Sequence, residues 1–275
     1  MTGRTALVTG ASSGIGEQTA LTLQRSGFTV YGAARRVERM QHLAADDVRV
    51  LAMDVTDHAS MAAGIEQIMA ETGNIDVLVN NAGYGSYGAI EDVPLEEARA
   101  QFEVNVFGAA ELTRLVLPQM RRQRSGTIVN VSSMGGKITT PLGGWYHATK
   151  FALEALSDCL RLEVAPFGIR VVIVEPGSID TEWGAIAAEK LRDSSGAGPY
   201  AAQAAAMAGS LARGGGRKSP PSVVADAVLR AVNARRPHTR YAVGANAKLA
   251  IGAHAVLPDR AFDTVIRRMT GVSGD

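Results

Sequence analysis

The sequence predicts an α/β fold in which a mostly parallel sheet of about seven strands is doubly wound, with helices on both faces. Three observations predict it. Short β-branched runs recur along the 275 residues, and most are apolar at every position, as in strands buried on both faces of a parallel sheet. Segments of helical periodicity stand between these runs, an alternation typical of doubly wound sheets. The first run also leads directly into a glycine-rich turn.

The predicted strands follow one another in order and lie at residues 6–8, 28–32, 48–52, 76–79, 127–131, 171–174 and 240–243. Helical spacing of apolar residues predicts a helix at 14–26 and long helices at 95–124 and 145–165. Because the chain has neither an internal repeat nor a proline-rich linker, residues 1–275 are expected to form a single domain.

Composition and charge exclude several classes of function. The formal net charge is +1, so there is no reason to expect a nucleic acid or an anionic membrane as partner. A lone cysteine and five histidines without H-x3-H or HExxH spacing argue against a disulfide framework and a metal site. The sequence has no signal peptide and no apolar run of membrane-spanning length, so a cytoplasmic location is expected.

The turn after the first strand is typical of a phosphate-binding loop. Gly10 permits a tight turn, Gly14 has no side chain to keep a pyrophosphate off the backbone, and Gly16 lets the next helix pack close to the sheet. N–H groups of the first helical turn would then face the phosphates. The alternative is a plain glycine turn. The residues predicted to bind a dinucleotide in this Rossmann-type loop are Gly10, Ser12, Ser13, Gly14, Ile15 and Gly16.

The TGASSGIG loop resembles that of the short-chain dehydrogenase/reductase family, and later motifs match the single-domain branch in order and spacing. Asn80-Asn81-Ala82-Gly83 follows the fourth strand, Tyr146-x3-Lys150 begins 13 residues after Ser133, and Pro176-Gly177 closes the sixth strand. The resemblance covers about residues 4–182. It implies an oxidoreductase with a nicotinamide cofactor, similar to the hydroxysteroid and retinol dehydrogenase branches and to acyl-carrier-protein ketoreductases.

The resemblance also implies which residues act. The implied catalytic residues are Asn105, Ser133, Tyr146 and Lys150. Lys150 would also bind the nicotinamide ribose, Asn105 would hold a proton-relaying water, and Asp54 would contact the adenine, unless Asp54 caps the following helix. The remaining implied cofactor contacts are Val55, Asn81, Ala82, Gly83, Tyr146, Pro176, Gly177, Ile179 and Thr181.

The chemistry of the tyrosine and lysine is consistent with this assignment. Tyr146 and Lys150 are four residues apart and share one face of a helix. A phenol has a pKa of about 10, and a nearby ammonium favours the phenolate, so Tyr146 could serve as a general acid or base. Ser133 would hold the substrate oxygen on which charge develops. The alternative is an exposed Tyr–Lys pair on an amphipathic helix.

The end of the second strand predicts a preference for NADP(H) over NAD(H). An NAD enzyme carries a carboxylate there for the ribose 2′-hydroxyl, but this chain has Ala34, followed by Arg35 and Arg36. A guanidinium can pair bidentately with a 2′-phosphate. Cations are otherwise disfavoured at the start of a helix. One feature weakens the preference, because Ser13 stands where many NADP-preferring relatives have a second basic residue.

The segment 182–218 is rich in glycine and serine and is expected to be a mobile, substrate-covering lid, or else a plain solvent loop. Its apolar residues include Trp183, Ile186, Leu191, Tyr200, Met207 and Leu211, and a further apolar wall is expected from Tyr84, Tyr87, Met134, Leu142 and Trp145. Lys137 is the one cation near Ser133 in the sequence. A lipophilic, uncharged substrate is therefore predicted.

The sequence thus predicts an NADP(H)-dependent enzyme that interconverts a carbonyl and a secondary alcohol on a steroid-, retinoid- or fatty-ketone-like molecule. Alternatives are an acyl-thioester 3-ketoreductase and a non-catalytic NADP(H) sensor, although sensors typically lack the tyrosine or the lysine. A sugar-nucleotide epimerase is disfavoured by the form of the glycine loop. The resemblance further implies a homodimer or homotetramer, formed through the helices predicted at 96–124 and 145–165.

Overall fold

The computed structural model describes residues 3–213 and 217–272. All seven predicted strands are present, and they form one sheet in the order β3-β2-β1-β4-β5-β6-β7 with every neighbouring pair parallel. Their bounds are Thr5–Thr9 for β1, Thr29–Ala34 for β2, Arg49–Ala52 for β3, Val77–Asn80 for β4, Gly126–Val131 for β5, Ile169–Pro176 for β6 and Arg240–Val243 for β7. The predicted fold class is confirmed.

Helices follow the strands and cover both faces of the sheet. Their bounds are Gly14–Arg25 for α1, Gln41–Ala44 for α2, His58–Thr72 for α3, Leu95–Phe102 for α4, Gly108–Gln123 for α5, Gly144–Val164 for α6, Trp183–Ser195 for α7, Ala201–Arg213 for α8, Ser222–Asn233 for α9, Ala247–Val256 for α10 and Asp259–Thr270 for α11. Short 3-10 turns occur at Val37–Met40, Met134–Gly136, Ala165–Phe167 and Gly198–Tyr200.

The sheet separates two apolar cores, because side chains alternate between its faces. In β1, Ala6 and Val8 belong to the core that α1 and α9 cover, whereas Leu7 belongs to the opposite core with residues of α3 and α5. All three are fully buried. Being buried on both sides, the central strands can be apolar at every position, which explains the continuous runs in the sequence.

The strand order places a crevice at the centre of the sheet. From β1 the chain proceeds to β2 and β3 on one side, and it then returns to add β4 on the other side. Such a reversal separates the loops that follow β1 and β4 at their carboxyl ends, and this is where doubly wound sheets bind ligands. The glycine loop and the Asn80–Gly83 motif both lie at this edge.

The long helix predicted at 95–124 is interrupted. A π-helical turn, Glu103–Phe107, joins α4 to α5 and carries Asn105. Immediately after it, a Cβ placed on Gly108 would lie 2.5 Å from the backbone oxygen of Val55, so α5 begins in close contact with the loop after β3. Turns of this kind often mark functional sites in helices.

The segment 182–218 differs from its expected irregular form. Residues 183–213 contain two helices, α7 and α8, joined by a turn in which Gly198 has φ +78°. The alanines of this segment are strong helix formers, and several are fully buried in a cluster with Tyr87, Leu142 and Tyr146. Gly214, Gly215 and Gly216, on which the expectation of flexibility partly depended, lie outside the described residues.

The chain continues from β7 into α10 and α11. Ala250 and Ala253 of α10 pack with Met134 and Ile138, which follow β5, so α10 borders the loop that carries Ser133. Over residues 3–213 and 217–272, no helix combines the length and the apolar character needed to cross a membrane.

Candidate active site

The glycine loop is as tightly packed as the sequence predicts. Gly10 and Gly14 have φ of +67° and +58°, in the left-handed region that favours glycine. A Cβ on Gly16 would lie 2.2 Å from the backbone oxygen of Gly10 and 2.5 Å from Nδ2 of Asn81. A Cβ on Gly14 would lie 3.0 Å from Cγ2 of Thr181, so this glycine also admits the threonine that follows β6.

Hydrogen bonds connect this loop to the end of β4. The hydroxyl of Thr9 accepts hydrogen bonds from the backbone N–H groups of Asn81 and Ala82, each at 3.0 Å. The side-chain Nδ2 of Asn81 donates to the backbone oxygen of Thr9 at 2.9 Å. The side chain of Asn81 therefore holds the loop in place. Thr9 was not among the predicted site residues, because this role depends on Asn81 and Ala82, which lie far from it in the sequence.

The backbone of this loop and the start of α1 suit the phosphates of a dinucleotide. Ser13 is the N-cap residue of the 12-residue helix α1, with extended backbone angles and no capping bond from its own side chain. The first N–H groups of a helix have no acceptor within the helix and carry a partial positive charge, so they suit a phosphate. The side chain of Ile15 packs against the core, so only its backbone is available to a ligand.

The residues predicted for the adenosine end lie on neighbouring loops. Arg35 and Arg36 are exposed directly after β2, which ends at Ala34. Asp54 follows β3, and its Oδ1 accepts the N–H and the hydroxyl of Thr56 at 2.9 and 2.8 Å. Asp57, whose side chain accepts from the N–H of Ala59, is the N-cap of α3, so the alternative role of Asp54 as a helix cap is excluded.

Backbone hydrogen bonds fix the position of the segment that follows β6. Gly177 donates its N–H to the oxygen of Val243 at 2.8 Å, and a Cβ on Gly177 would lie 2.0 Å from the oxygen of Ala245. Ile179 forms a parallel bridge with Ser219 and packs against the core. Of the predicted contacts in this segment, Thr181 reaches the glycine loop, whereas Pro176 and Gly177 pair with β7 and Ile179 packs against the core.

Asn105 connects the Asn80–Gly83 loop to α6. Its side-chain amide donates to the oxygen of Tyr84 at 2.9 Å and accepts the N–H of Tyr84 at 3.0 Å. It also donates to the hydroxyl of Thr149, the residue before Lys150, at 3.0 Å. A Cβ on Gly83 would lie 3.0 Å from Oδ1 of Asn105 and 3.8 Å from Nζ of Lys150, so these three residues meet.

Tyr146 and Lys150 are both buried on one face of α6. Nζ of Lys150 donates to the backbone oxygen of Val131, at the end of β5, at 3.0 Å. Burial lowers the pKa of Lys150 to about 8, and the negative charge of Glu154 opposes this shift. The pair is therefore not the exposed one that a merely amphipathic helix would present.

The pKa of Tyr146 does not follow the expected direction. Burial raises it to about 12, and a hydrogen bond with Ser133 opposes the shift only in part. In the protein alone, the loss of water around the phenol outweighs the effect of neighbouring side chains, and the lowering expected from Lys150 together with an oxidised nicotinamide stays a prediction. The consequence is a tyrosine that keeps its proton at neutral pH.

Aromatic rings surround the phenol of Tyr146. The ring centroids of Trp183 and Tyr87 lie 5.2 and 5.6 Å from that of Tyr146, and a Cβ on Gly85 would lie 2.4 Å from the Trp183 ring. Of the residues predicted for the wall and the lid, those that join this apolar cluster are Tyr87, Leu142, Trp183, Leu191, Tyr200, Met207 and Leu211.

The other predicted wall residues lie elsewhere. Trp145 lines a groove of about 300 Å³ beside α4 and the π turn, because it is one position out of phase with Tyr146 on the helix. Met134 packs under α10, and Tyr84 lies beside Lys190, whose Nζ is 5.1 Å from the ring centroid. Lys137 forms an ion pair with the buried Glu154 at 3.0 Å.

The chain is similar to known proteins over most of its length. The model of the family described as "short chain dehydrogenase" matches residues 4–191. A 3-ketodihydrosphingosine reductase of Bacteroides thetaiotaomicron is 45% identical over 175 residues, a match that covers 64% of each chain. An NADPH-dependent 3-dehydrocapnine reductase of Ornithobacterium rhinotracheale is 34% identical in an alignment of 280 positions, gaps included, that covers 95% of each chain.

The fold is also similar to that of a solved structure, a short-chain dehydrogenase from Streptomyces avermitilis, with a TM-score of 0.81 and 37% identity over 98% of this chain and 96% of that one. The family match covers more than half of the chain, and it agrees with the sheet order and with the position of the glycine loop. The chain therefore belongs to the short-chain dehydrogenase/reductase family, oxidoreductases that bind a nicotinamide dinucleotide and act on alcohol and carbonyl groups.

Proposed function

We propose that this protein is an NADP(H)-dependent reductase of a long-chain aliphatic ketone, with Tyr146 as its acid. The observation that carries the proposal is the environment of that tyrosine. The side chain of Ser133 opposes the rise in the pKa of the tyrosine hydroxyl, and the tyrosine ring lies in an apolar cluster with Tyr87 and Trp183. Such a site suits a ketone whose remaining atoms are apolar.

In the proposed reaction Tyr146 donates a proton to the carbonyl oxygen. Burial raises its pKa to about 12, so the phenol is protonated at neutral pH, as a proton donor must be. A nicotinamide dinucleotide bound at the glycine loop would, in its reduced form, supply the hydride for the carbonyl carbon. Ser133 donates a hydrogen bond to the same oxygen as its negative charge grows. Lys150, anchored on Val131, lies one turn away on the same helix face and brings a positive charge near the tyrosine as it loses its proton.

The substrate class rests on the apolar cluster together with the names of two relatives. One relative is named for 3-ketodihydrosphingosine and the other for 3-dehydrocapnine, and both names denote a ketone at carbon 3. The first of these is a long-chain aliphatic amino ketone. The side chains around Tyr146 offer surface for an alkyl chain.

The preference for NADP(H) rests on the end of β2. No carboxylate is present at Ala34, and the exposed guanidinium groups of Arg35 and Arg36 follow at once. An arginine in this position can pair with the 2′-phosphate. The relative from Ornithobacterium rhinotracheale, which is named as NADPH-dependent, adds support.

We further propose that residues 182–213 and 217–218 cover the substrate. Trp183, at the start of α7, lies against Tyr146, and the tyrosine is only 6% exposed, so movement of α7 would widen access to the hydroxyl. Exposed or half-exposed ion pairs hold α7 in place: Arg39 with Glu182 at 3.1 Å and Lys190 with Glu97 at 2.8 Å. Such pairs are weak enough to break during opening.

The experiment is the oxidation of NADPH, followed at 340 nm, with a panel of ketones. The panel contains long-chain aliphatic 3-ketones with and without a 2-amino group, short ketones of the same head group, a steroid ketone and a 3-ketoacyl thioester. We expect the long-chain ketones to give the highest kcat/KM. Highest turnover with the thioester would favour the ketoreductase alternative, and no turnover with NADPH bound would favour a sensor.

The Tyr146→Phe variant tests the role of the phenol, because the substitution removes only the hydroxyl. We expect kcat to fall by a factor of about 100 or more, which is the low end of the range for general acid catalysis, while NADPH still quenches the protein's fluorescence with unchanged affinity. A variant that retained more than about a tenth of the wild-type kcat would refute the role of Tyr146.

A further inference from the structure

We propose that His147 is a positioning residue that fixes the hydroxyl of Ser133 in its donating orientation, acting through Gly135. The inference rests on the proposed role of Ser133 in carbonyl reduction. His147 follows Tyr146 on α6, is buried, and lies with its ring centroid 5.6 Å from that of Tyr146. It does not reach the reacting atoms itself, and its effect is exerted on the loop after β5.

The contacts of the imidazole fix its tautomer. Nε2 lies 3.0 Å from the backbone nitrogen of Thr140, and that N–H can only donate, so Nε2 must be the unprotonated acceptor. The hydroxyl of Thr140 also lies 2.9 Å from Nε2. The ring proton is therefore on Nδ1, which donates to the backbone oxygen of Gly135 at 2.9 Å. His147 thus bridges the two ends of the loop 135–140.

Gly135 transmits this constraint to the serine. Its oxygen accepts from His147, and its N–H donates to the Oγ of Ser133 at 3.0 Å. A Cβ on Gly135 would lie 3.1 Å from both Nδ1 of His147 and Cε1 of Tyr146, so Gly135 packs closely against both rings. The N–H and the oxygen belong to the two successive peptide groups that meet at the Cα of Gly135, so holding the oxygen on His147 restricts the rotations about this Cα that would carry the N–H away from Ser133.

The bond from Gly135 determines what the serine can do. A hydroxyl has one proton and accepts through its lone pairs. With the N–H of Gly135 held on a lone pair, the proton of Ser133 is directed elsewhere, toward the hydroxyl of Tyr146 and the carbonyl oxygen that would lie beside it. Without that amide, the serine could instead turn its proton to another acceptor, and it would spend less time as the donor that the reaction needs.

The environment also keeps the imidazole neutral. Burial lowers the pKa of His147, although the hydrogen bond to Gly135 opposes the shift. Protonation would place a second N–H on Nε2, directly opposite the N–H of Thr140. The arrangement therefore requires the neutral ring with the proton on Nδ1, and this state persists at neutral pH.

Two substitutions separate the proposed role from a general role in packing. In His147→Asn, the side-chain amide can donate from the position of Nδ1, whereas in His147→Gln the longer amide lies nearer the position of Nε2. We expect kcat of His147→Asn to stay within about threefold of wild type, and kcat of His147→Gln to fall about tenfold, the effect of one neutral hydrogen bond. Thr140→Val, which keeps the N–H but removes the hydroxyl, should change kcat by less than about twofold.

A double-mutant cycle with Ser133→Ala supplies the readout that a merely structural residue would not affect. If His147 acts on the serine, His147→Gln should lower kcat by less than about twofold when Ser133 is already alanine. Equal losses in both backgrounds would overturn the inference. Retained activity in Ser133→Ala itself would instead refute the proposed function, so the two failures are distinguishable.

Melting temperature and NADPH binding must be compared across all these variants. If His147→Gln does not fold, nitrogen-15 NMR of histidine in the wild-type protein replaces it. We expect the imidazole of His147 to carry its proton on Nδ1 at neutral pH, and we expect this resonance to shift in Ser133→Ala. A proton on Nε2, or a resonance that does not respond to Ser133→Ala, would overturn the inference.

Discussion

At the scale of single residues, Lys150 combines a cost to stability with a use in the reaction. It is only 6% exposed and its ammonium donates to a single backbone oxygen, that of Val131. Because burial lowers its pKa to about 8, the folded protein at neutral pH carries a charge that would be better solvated in the unfolded chain. Proteins retain such groups where activity requires them, at the expense of stability.

Lys150→Met should therefore remove activity and, at the same time, change how stability depends on pH. The folded-state pKa of Lys150 is below its unfolded value, so its contribution is most unfavourable below pH 8 and disappears as pH rises to about 10.4. Over this window the wild type should gain roughly 3 kcal/mol relative to the variant, at 1.36 kcal/mol per unit. Urea unfolding of both proteins without added cofactor, at pH 7 and pH 10, measures the difference. A constant difference between the two curves would contradict it.

Arg35 should determine the choice between cofactors. Arg35→Ala should raise KM for NADPH about tenfold or more, since a hydrogen bond to a charged group contributes about 1.5–3 kcal/mol. NADH kinetics should barely change, because NADH has no 2′-phosphate. Steady-state kinetics with both cofactors test this, with Arg25→Ala, a surface arginine paired with Asp46, as the control. A wild-type kcat/KM that is higher with NADH would refute the preference itself.

Residue roles were predictable from the sequence where they depend on residue type and spacing. The glycines of the loop and the Tyr146–Lys150 pair lie where expected, because local backbone geometry and helical spacing place them. Roles that depend on tertiary partners could not be predicted. Thr9 contacts residues brought to it by other parts of the fold, as His147 does in the role proposed for it, and the direction of the Tyr146 pKa shift depends on how completely the site is buried.

At the scale of secondary-structure elements, the strands were predictable from local sequence, whereas the substrate-covering segment depends on tertiary packing. The strands were predictable because a strand buried on both faces must be apolar throughout. The helices within residues 183–213 were harder to predict, because short glycine and serine stretches suggested irregular backbone while the alanines between them favour helices. The burial of Ala187, Ala204 and Ala208 in one cluster shows that tertiary packing stabilises α7 and α8.

Helices α7 and α8 should nevertheless move as a unit when the site opens. Because Trp183 lies against Tyr146, amides of α7 should exchange hydrogen faster in the free protein than in the presence of NADP and a slowly reacting ketone. Hydrogen exchange followed by mass spectrometry measures this, with peptides of β5 as the internal control. Equal protection of α7 with and without ligands would contradict a covering role.

At the scale of the whole molecule, the outer face formed by α4, the π turn and α6 is unusually apolar. Leu95, Phe107, Phe151 and Leu156 are 41–55% exposed, and Phe107 also lines the groove that contains Trp145. Exposed apolar patches of this kind mark interaction surfaces. A face that pairs with its own copy across a twofold axis would bury these side chains in both subunits, as the family resemblance implies.

We therefore expect a homodimer or a homotetramer, with this face at one interface. Light scattering at micromolar concentration should give a multiple of the chain's 28.8 kDa. Phe107→Lys should shift the mass toward the monomer, because a charge would be buried at the centre of the contact without a partner. Leu249→Lys, at a residue of α10 that is 76% exposed, is the matched control and should leave the mass unchanged. Because the same face is continuous with the π turn that carries Asn105, dissociation should also lower kcat, and a monomeric wild type with full activity would contradict both expectations.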